Sequence, residues 1–335
     1  MRVPPKWVRR PIAYLALYLL LLITIVASPV LVIAAMIASY WMRGRWRALH
    51  LFGFAMTGLL LEAAAVLAAG GLWIASGFGA ALHTRRFQNA HYAVLRWFLA
   101  TLVRSARRLF HLELTIDAPA KNERGSSNPI LILSRHAGPG DSLLVVNTLM
   151  SNFGRRPRVV LKDTMQLDPT CDLYLNRLPS KFVNPNPGVG ENMTDGIAAL
   201  ARGMGDGDAL LIFPEGGNFT PQRRTRAIHR LRDAGHTDAA EIATSLRNLL
   251  PPRPAGVQAA LDAAPAADVV FVAHTGLDKM LTLGDIWAEL PEDKLLHARW
   301  RVQPASEVPT SAAARVAWLN QRWVDIDQWI DANND

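Results

Sequence analysis

The sequence predicts an α/β fold with a largely parallel or mixed sheet flanked by helices, preceded by an all-α, membrane-embedded N-terminal hairpin. Long apolar stretches fill the first 86 residues, and beyond residue 110 short β-branched or Leu-rich runs alternate with helical stretches and Gly/Pro turns. The 335 residues are 50% apolar and 19% charged, which excludes intrinsic disorder and suffices for a real core. We therefore divide the chain into an anchor (1–86), a basic interfacial helix (87–110) and an α/β domain (111–335).

The first apolar stretch is the 32 residues between Arg10 and Arg43, which contain no ionisable acid or base except tyrosine. About 20 residues suffice to cross a bilayer, so a straight helix would overrun the hydrocarbon and needs tilt, an interfacial end or a bend at Pro29. A signal peptide is the alternative, because Arg9 and Arg10 precede a Leu-rich segment. The apolar run continues too far beyond any plausible cleavage site for that alternative to be preferred.

The second apolar stretch, roughly 51–82, is richer in Gly and Ala and contains Glu62, which argues against a full crossing. Arginine clusters stand before the first stretch, between the two and after the second, so two full spans have no clean orientation under the positive-inside rule. A hairpin embedded from one leaflet, with every flank on the cytoplasmic side, satisfies all three clusters. We therefore prefer this hairpin and expect a cell-membrane protein whose α/β domain faces the cytoplasm.

The formal net charge of +8 is unevenly distributed. Residues 1–110 hold 13 Lys or Arg and one acidic residue, a net charge of +12, whereas residues 111–335 hold 23 basic and 27 acidic residues, a net charge of −4. Because the excess positive charge accompanies the apolar segments, anionic lipid head groups explain it better than nucleic acid does. Residues 87–110 mix four arginines with aromatic and aliphatic residues, which is typical of a basic amphipathic helix lying on a membrane.

The α/β domain is predicted from the alternation of its segments. The candidate strands are 112–116, 130–134, 158–161, 209–213, 269–273 and 298–302. The candidate helices are 142–150, 193–203, 237–249 and 312–330. Strands that alternate with helices favour a largely parallel sheet, and active-site groups concentrate at the carboxyl ends of such strands.

The end of the second candidate strand carries the most informative motif. Ser134 is followed by Arg135, His136, a Gly/Pro turn and then Asp141 at the start of a candidate helix. The turn can fold the Asp141 carboxylate onto one imidazole nitrogen of His136, which would leave the other nitrogen to take a proton from a substrate hydroxyl. The alternative is a turn in which Asp141 is only the N-cap of the helix.

A second motif, Phe-Pro-Glu-Gly-Gly at 213–217, follows another buried-type strand and precedes Arg223 and Arg224. A carboxylate such as Glu215 at a strand end can bind substrate hydroxyls, and glycine N–H groups with nearby guanidiniums suit a phosphate. The alternative for this segment is a capped loop followed by a solvated basic run.

The H-x-x-x-x-D motif after a strand, followed about 80 residues later by F-P-E-G, resembles the glycerolipid acyltransferase family, which includes the 1-acylglycerol-3-phosphate acyltransferases. The resemblance extends over roughly residues 90–305. It implies that His136 is the general base, that Asp141 orients it, and that Glu215 and Gly216 belong to the acceptor site. Arg253, in a Leu-Leu-Pro-Pro-Arg segment similar to larger members of the family, is implied as a contact for acyl-CoA or lipid phosphate.

Two positions depart from the family's pattern. In the middle block, Phe-Val is followed by Asn-Pro at 184–185, so the expected phosphate-binding Arg is missing, and Arg177 and Lys181 lie close but out of register. The fourth block, which usually has a Pro after the strand, reads Val-Ala-His at 272–274. The resemblance therefore implies acyl transfer more firmly than it implies a phosphate on the acceptor.

Three further residues have the side-chain chemistry of a nucleophile or a base. Cys171, the only cysteine, lies between Asp168 and Asp172, which would raise rather than lower a thiol pKa, so we expect a structural role. Ser142 lacks a G-x-S-x-G elbow, so a role at the start of the helix is expected. His274 is a lone histidine after an apolar strand, and such a residue is more often packed than basic.

Together these observations predict a membrane-bound O-acyltransferase that uses acyl-CoA or acyl carrier protein as co-substrate, without a cofactor or metal. The expected acceptor is the free hydroxyl of a lysophospholipid, 1-acylglycerol-3-phosphate, which would give phosphatidic acid. His136 would deprotonate this hydroxyl, and a backbone N–H with Arg135 would hold the oxyanion. The alternatives are acylation of a glycolipid or aminolipid, a membrane-bound lipid hydrolase that uses Ser142 and His136, and a lipid-binding scaffold without chemistry.

Overall fold

The computed structural model describes residues 3–42, 46–117, 128–138, 140–184, 193–276 and 294–333. Three long helices come first: α1 (Lys6–Trp41), α2 (Arg47–Ala75) and α3 (Arg85–Leu109). α1 continues through Pro29 as one helix, so the bend considered there does not divide it. The predicted basic flank at Arg43 and Arg45 lies outside the described residues, as does Pro185 of the middle block.

An α/β domain follows these helices. Its strands are β1 (Leu112–Asp117), β2 (Ile130–Ser134), β3 (Arg156–Lys162), β4 (Ser180–Val183), β5 (Asp208–Ile212), β6 (Asp268–Thr275) and β7 (Lys294–Gln303). Its helices are α4 (Asp141–Ser151), α5 (Pro169–Leu175), α6 (Met193–Ala201), α7 (Pro221–Asp233), α8 (Thr237–Ser245), α9 (Pro254–Ala263) and α10 (Ala312–Asn333). Every candidate strand is present, whereas β4, α5, α7 and α9 are absent from the prediction.

The strands form one seven-stranded sheet in the order β1-β7-β6-β2-β5-β3-β4. β6, β2, β5, β3 and β4 are mutually parallel, β7 is antiparallel to β6, and β1 is parallel to β7. The predicted largely parallel or mixed sheet is therefore confirmed. β2, β5 and β6 are buried along their whole length, as expected for strands covered on both faces of a sheet.

The hydrophobic core lies on both faces of the sheet. On one face, Leu131 and Leu133 of β2 pack with side chains of α6, α9 and α10, where Trp323 is fully buried. On the other face, Ile132 packs with side chains of α4 and β7. The sheet therefore forms the middle layer of three, and its central strands are fixed from both sides.

The register of the central strands determines where their ends lie. Ser134 of β2 is opposite Val272 of β6, and Leu133 of β2 is opposite Ile212 of β5. The carboxyl ends of β2, β5 and β6 therefore meet at one edge of the sheet. Side chains that follow these three strands can converge on a single site there.

The N-terminal helices pack in layers on this domain: α1 lies on α2, α2 contacts α3 and α5, and α3 also contacts α4. By length and composition, α1 and α2 are each apolar enough to cross a membrane. Among the described residues, most of the exposed large apolar side chains belong to α1, including Leu15, Val26 and Ile37. α1 therefore presents an extended apolar surface away from the α/β domain.

Hydrogen bonds join α2 to the α/β domain. The hydroxyl of Thr170 donates to Glu62 Oε2 at 2.6 Å, and the hydroxyl of Tyr174 donates to the carbonyl of Ala65 at 2.8 Å. Glu62, the acid that distinguishes the second apolar stretch, therefore faces α5 of the α/β domain.

Asp172 of α5 joins the start of α1 to the same domain. Its carboxylate accepts hydrogen bonds from Arg9 at 2.5 Å and from Arg10 at 2.6 Å. Asn176 also donates to it, at 2.9 Å. Because the Asp172 side chain is only 3% exposed, these donors replace the water that a carboxylate would otherwise bind.

α3 differs from the predicted interfacial helix. Its apolar side chains Tyr92, Phe98 and Leu99 are buried with residues of α2, α4 and α5. Protein therefore covers this part of the apolar face, and the contact of α3 with a membrane stays a prediction for its exposed face. The exposed face of α3 keeps Trp97 and four arginines, Arg96, Arg104, Arg107 and Arg108.

Candidate active site

His136 and Asp141 occupy the turn between β2 and α4. β2 ends at Ser134, His136 follows two residues later, and α4 begins at Asp141. His136 Nδ1 lies 3.0 Å from Asp141 Oδ2. The turn thus folds the carboxylate onto one imidazole nitrogen, in the arrangement that the spacing of the motif predicts.

The Asp141 carboxylate is fully buried and bound by the main chain. Its Oδ2 accepts hydrogen bonds from the N–H groups of Ala137 at 2.6 Å and Gly138 at 3.1 Å. Burial alone raises its pKa, but the hydrogen bond and charge of His136, the charge of His274 and an amide of the turn hold the pKa below its usual value. An ionised, immobile carboxylate fixes the imidazole tautomer with the proton on Nδ1.

The second imidazole nitrogen of His136, Nε2, remains available. It has no hydrogen-bond partner among the residues that the structure describes, and the side chain is 21% exposed. The ring stacks on Phe213, with 4.4 Å between ring centroids. Nε2 is therefore the atom that can accept a proton from a hydroxyl brought to this edge of the sheet.

Glu215 lies beneath this site, and both of its carboxylate oxygens bind the main chain. Oε1 accepts from the N–H of His136 at 2.8 Å, and Oε2 accepts from the N–H of Leu250 at 2.9 Å. The residue is 2% exposed, and burial raises its pKa to about 8. The sequence predicts that Glu215 binds an acceptor hydroxyl. In the structure, both of its carboxylate oxygens bind main-chain N–H groups instead. Glu215 thereby ties the His136 backbone to the segment before α9.

Gly216 and Arg253 meet in the turn that follows β5. Gly216 has a φ of +70°, which favours glycine, and a Cβ added there would lie 3.0 to 3.1 Å from the Arg253 guanidinium. The N–H of Arg253 donates to the carbonyl of Pro214 at 2.8 Å. This places a guanidinium directly against the F-P-E-G turn, where burial lowers its pKa from the usual arginine value.

The predicted basic run is the first part of helix α7 rather than a loop. The Arg223 guanidinium lies beside Gly217 and donates to the carbonyl of Asn218 at 3.1 Å. Arg224 points to α8, where it donates to the carbonyl of Thr244 at 2.6 Å. The structure therefore brings Arg223 to the glycine turn together with Arg253, and it does not bring Arg224 there.

Arg135 lies inside the protein, only 1% exposed. Its Nη1 donates to the carbonyl of His274 at 2.5 Å, and its Nη2 donates to the carbonyl of Asn248 at 3.3 Å. Its guanidinium therefore binds main-chain carbonyls of β6 and of the segment after α8, and the predicted oxyanion role of Arg135 stays a prediction. Arg135 joins these segments to the end of β2.

Arg177 and Lys181 lie away from the His136 turn. Arg177 donates to the carbonyl of Ala69 on α2 at 2.8 Å, so it belongs to the joint with the N-terminal helices. Lys181 lies on the edge strand β4, beside Gly196, with β3 and β5 between β4 and β2. The structure thus brings neither residue to the site as a replacement for the missing motif arginine.

His274 lies closer to the site than its position in the sequence predicts. It lies near the carboxyl end of β6, the neighbour of β2, it is buried, and its Nε2 is 3.8 Å from Asp141 Oδ2. A lone histidine after an apolar strand carries no local signal for this position. Only the parallel register of β2 with β6 shows that His274 lies near Asp141.

The two potential nucleophiles have structural positions. The Ser142 hydroxyl donates to Asp141 Oδ1 at 3.1 Å, at the start of α4. For Cys171, burial and the neighbouring Asp168 raise the thiol pKa, which disfavours the reactive thiolate. No group of three or more His, Cys, Asp or Glu side chains that could hold a metal ion occurs in the described part of the chain.

Comparison with known proteins gives a match to a family model and a similar solved structure. Residues 115–274, which include both motifs, match the model of the family described as Acyltransferase. No curated protein matches the chain. Among solved structures, it is similar to the 1-acyl-sn-glycerophosphate (LPA) acyltransferase PlsC from Thermotoga maritima, with 12% identity, a TM-score of 0.46, and coverage of 81% of this chain and 96% of that one. Residues 115–274, which carry both motifs, therefore form an acyltransferase domain.

Proposed function

We propose that the protein transfers a fatty acyl group from acyl-CoA or acyl carrier protein to the free hydroxyl of a lysophospholipid, with 1-acylglycerol-3-phosphate as the preferred acceptor. The observation that carries the proposal is the His136–Asp141 pair, in which the imidazole is partly exposed at the edge of the sheet. This is the geometry of a general base with an orienting carboxylate.

In the proposed reaction, His136 Nε2 takes the hydroxyl proton as the acceptor oxygen attacks the thioester carbonyl carbon. The tetrahedral intermediate then collapses, the carbon–sulfur bond breaks, and the thiolate leaves with the proton from the imidazolium. The products are an ester and a free thiol, and no protein nucleophile takes part. Asp141 stabilises the imidazolium that forms between the two steps.

A phosphate on the acceptor is proposed from the guanidiniums at the glycine turn. Arg253 lies against Gly216 and Arg223 against Gly217, so two positive charges flank the segment that follows the F-P-E-G motif. Paired guanidiniums beside glycine backbone suit a phosphate oxygen cluster. This favours an anionic acceptor over the glycolipid or aminolipid that the missing motif arginine leaves open.

The proposed reaction takes place at the cytoplasmic face of the cell membrane, with α1 and α2 embedded from one leaflet. α2 contacts the α/β domain through Glu62 and Ala65, in its middle, so a full crossing of α2 would draw charged parts of that domain into the hydrocarbon. A hairpin that lies with the apolar surface of α1 in the leaflet avoids this cost. Arginines on the exposed face of α3 would then meet anionic head groups.

The experiment that tests the function uses purified full-length protein in vesicles, labelled acyl-CoA or acyl carrier protein, and a panel of lyso-acceptors. We expect the highest kcat/KM with 1-acylglycerol-3-phosphate and little release of free fatty acid when the acceptor is absent. A preference for an uncharged glycolipid would overturn the acceptor assignment. Release of fatty acid without transfer to any acceptor would instead indicate a hydrolase.

A further inference from the structure

Helix α7 begins directly beside the candidate active site. The N–H of Phe219 donates to the carbonyl of His136 at 3.0 Å. Thr220, the next residue, caps α7 by accepting a hydrogen bond from the N–H of Arg223 at 3.2 Å. A molecule that docks on the first turns of α7 therefore lies next to the His136 turn.

The surface of α7 is strongly basic. The helix contains five arginines and one acidic residue, Asp233, a net charge of +4. Arg223, Arg226 and Arg230 are exposed. Their spacing of i, i+3 and i+7 places them on one side of the helix, in a row about 10 Å long. These three residues are called the α7 arginine row.

The α7 arginine row continues the positive charge of the glycine turn. Arg223 lies beside Gly217. Burial, and then the charge of Arg230, lower the pKa of Arg253, so these two guanidiniums lie within electrostatic range of each other. Among the residues that the structure describes, the side chains of Arg226 and Arg230 make no hydrogen bond or ion pair. Their charges can therefore meet an anionic partner.

The position and composition of α7 favour a water-soluble partner over a membrane. α7 packs on α8, and α8 packs on α10, which covers the face of the sheet opposite to α4. The N-terminal helices α2 and α3 instead pack against α5 and α4. Among the described residues, α7 has no exposed large apolar side chain, whereas a helix that lies in a membrane surface buries an apolar face. α7 therefore lies on the side of the domain away from the N-terminal helices.

Coenzyme A and acyl carrier protein, the two water-soluble carriers of the acyl group in the proposed function, distribute their negative charge differently. Coenzyme A concentrates its charge on phosphates, which bind best where several donors converge. The α7 arginine row instead spreads three guanidiniums along the convex surface of a helix. This arrangement suits carboxylates that are distributed over the surface of an acidic protein, and acyl carrier protein is such a protein.

We propose that the α7 arginine row docks the acidic surface of acyl carrier protein and so presents the acyl thioester to the His136 turn. The proposal rests on the proposed acyl transfer and names the donor that this surface recognises. Exposed charges at an interface mainly accelerate association. The row should therefore act on kcat/KM for the carrier-protein donor, and its effect should weaken as the salt concentration rises.

The variant Arg226→Glu tests the row in full-length protein in vesicles, with 1-acylglycerol-3-phosphate as acceptor and the same labelled acyl group on either donor. It should lower kcat/KM for the carrier-protein donor by about tenfold and change kcat/KM for acyl-CoA by less than about twofold. Arg232→Glu is the matched control, because it changes the net charge of the same helix equally. The exposed Arg232 lies about 120° around the helix axis from Arg226, so its replacement should change neither value by more than about twofold.

Three results would overturn the proposal. Equal losses with both donors would assign Arg226 to the fold or, if binding to vesicles also weakens, to the membrane. A loss confined to acyl-CoA would assign the row to the phosphates of coenzyme A. Equal effects of Arg226→Glu and Arg232→Glu would mean that only the overall charge of the helix matters.

A binding measurement that needs no turnover separates this proposal from the proposed function. Calorimetry with carrier protein that bears no acyl group should give a Kd about tenfold weaker for Arg226→Glu than for wild type, and an unchanged Kd for Arg232→Glu. If binding follows this pattern but neither donor acylates any acceptor, the proposed function fails and the docking surface stands. If acyl-CoA acylates the acceptor and both variants bind the carrier protein as wild type does, the docking surface fails and the proposed function stands.

Discussion

The active site and the joint between the N-terminal helices and the α/β domain bind their carboxylates differently. At the active site, Asp141 and Glu215 accept hydrogen bonds from main-chain amides. At the joint, Asp172 accepts from the side chains of Arg9 and Arg10, more than 160 residues earlier in the chain. Amides in a strand-end turn are already fixed by the sheet, whereas an arginine side chain loses conformational freedom when it binds. The comparison indicates that the site keeps its geometry through the backbone, while the joint depends on paired charges.

The largest expected effect lies at the active site. His136→Ala removes the base and should lower kcat/KM for acyl transfer by about 10³-fold or more, and Asp141→Asn should cost a comparable factor because it loses the orienting charge. Ser142→Ala is the control, since its hydroxyl contacts Asp141 and not His136, and it should stay active. Retention of more than a few per cent of wild-type turnover by His136→Ala would refute the mechanism.

The next largest effect is expected for a variant that disrupts the joint between α1 and the α/β domain. Asp172→Asn leaves two partly buried arginines without their carboxylate and should destabilise the protein by about 3 kcal/mol, which lowers the Tm by several degrees. The control is Asp331→Asn, because the Asp331 pair with Arg247 is exposed and should be worth less than about 1 kcal/mol. Thermal unfolding in detergent compares the two. Equal small losses would mean that the apolar contacts alone hold the helices.

Glu215→Gln tests whether the main chain fixes the site. A glutamine amide can accept from only one of the two N–H groups, so the His136 backbone should lose its support, and kcat should fall by roughly 10- to 100-fold with little change in KM. Glu241→Gln on the exposed face of α8 is the matched control. An effect confined to KM would instead indicate that Glu215 binds the acceptor.

The raised pKa of Glu215 adds a dependence on pH. The folded protein holds this proton up to about pH 8, whereas an unfolded chain releases it at an ordinary glutamate pKa. This group's contribution to stability is therefore full at low pH and is lost as the pH rises to about 8. The difference in Tm between wild type and Glu215→Gln should shrink over that range. A constant difference would mean that Glu215 is ionised throughout.

The smallest effect should come from the guanidiniums at the glycine turn. Arg253→Gln and Arg223→Gln should each raise the KM for 1-acylglycerol-3-phosphate by roughly 10-fold and leave the KM for acyl-CoA nearly unchanged. Arg224→Gln is the control, because that side chain binds the carbonyl of Thr244. Equal effects on both substrates would point to folding instead of phosphate binding.

The predictable parts of the molecule are those that depend on short stretches of sequence. Buried runs of β-branched and Leu residues predict β2, β5 and β6, and the spacing of His136 and Asp141 within one turn predicts their contact. α7 could have been predicted as well, since Thr220 caps it and Pro221 begins it, a pattern typical of a helix start.

The remaining parts depend on contacts that no local pattern contains. The roles of Arg135 and Glu215 follow from carbonyl and amide partners that are 139 and 35 residues away, at His274 and Leu250. The apolar face of α3 has the same periodicity whether lipid or α2 covers it, so its sequence cannot distinguish the two. Such features become visible only when the strand register and the packing of the helices are known.

The central claim is that the His136–Asp141 pair activates the acceptor hydroxyl for direct attack on the thioester. The acyl group then passes to the acceptor without a covalent acyl-enzyme. Incubation of wild-type protein with acyl-CoA in the absence of acceptor, followed by intact-protein mass spectrometry and a rapid assay for free CoA, tests this most directly. We expect an unchanged protein mass and no burst of CoA before acceptor is added. A stoichiometric burst with an acyl adduct that maps to Ser142 or Cys171 would contradict the account.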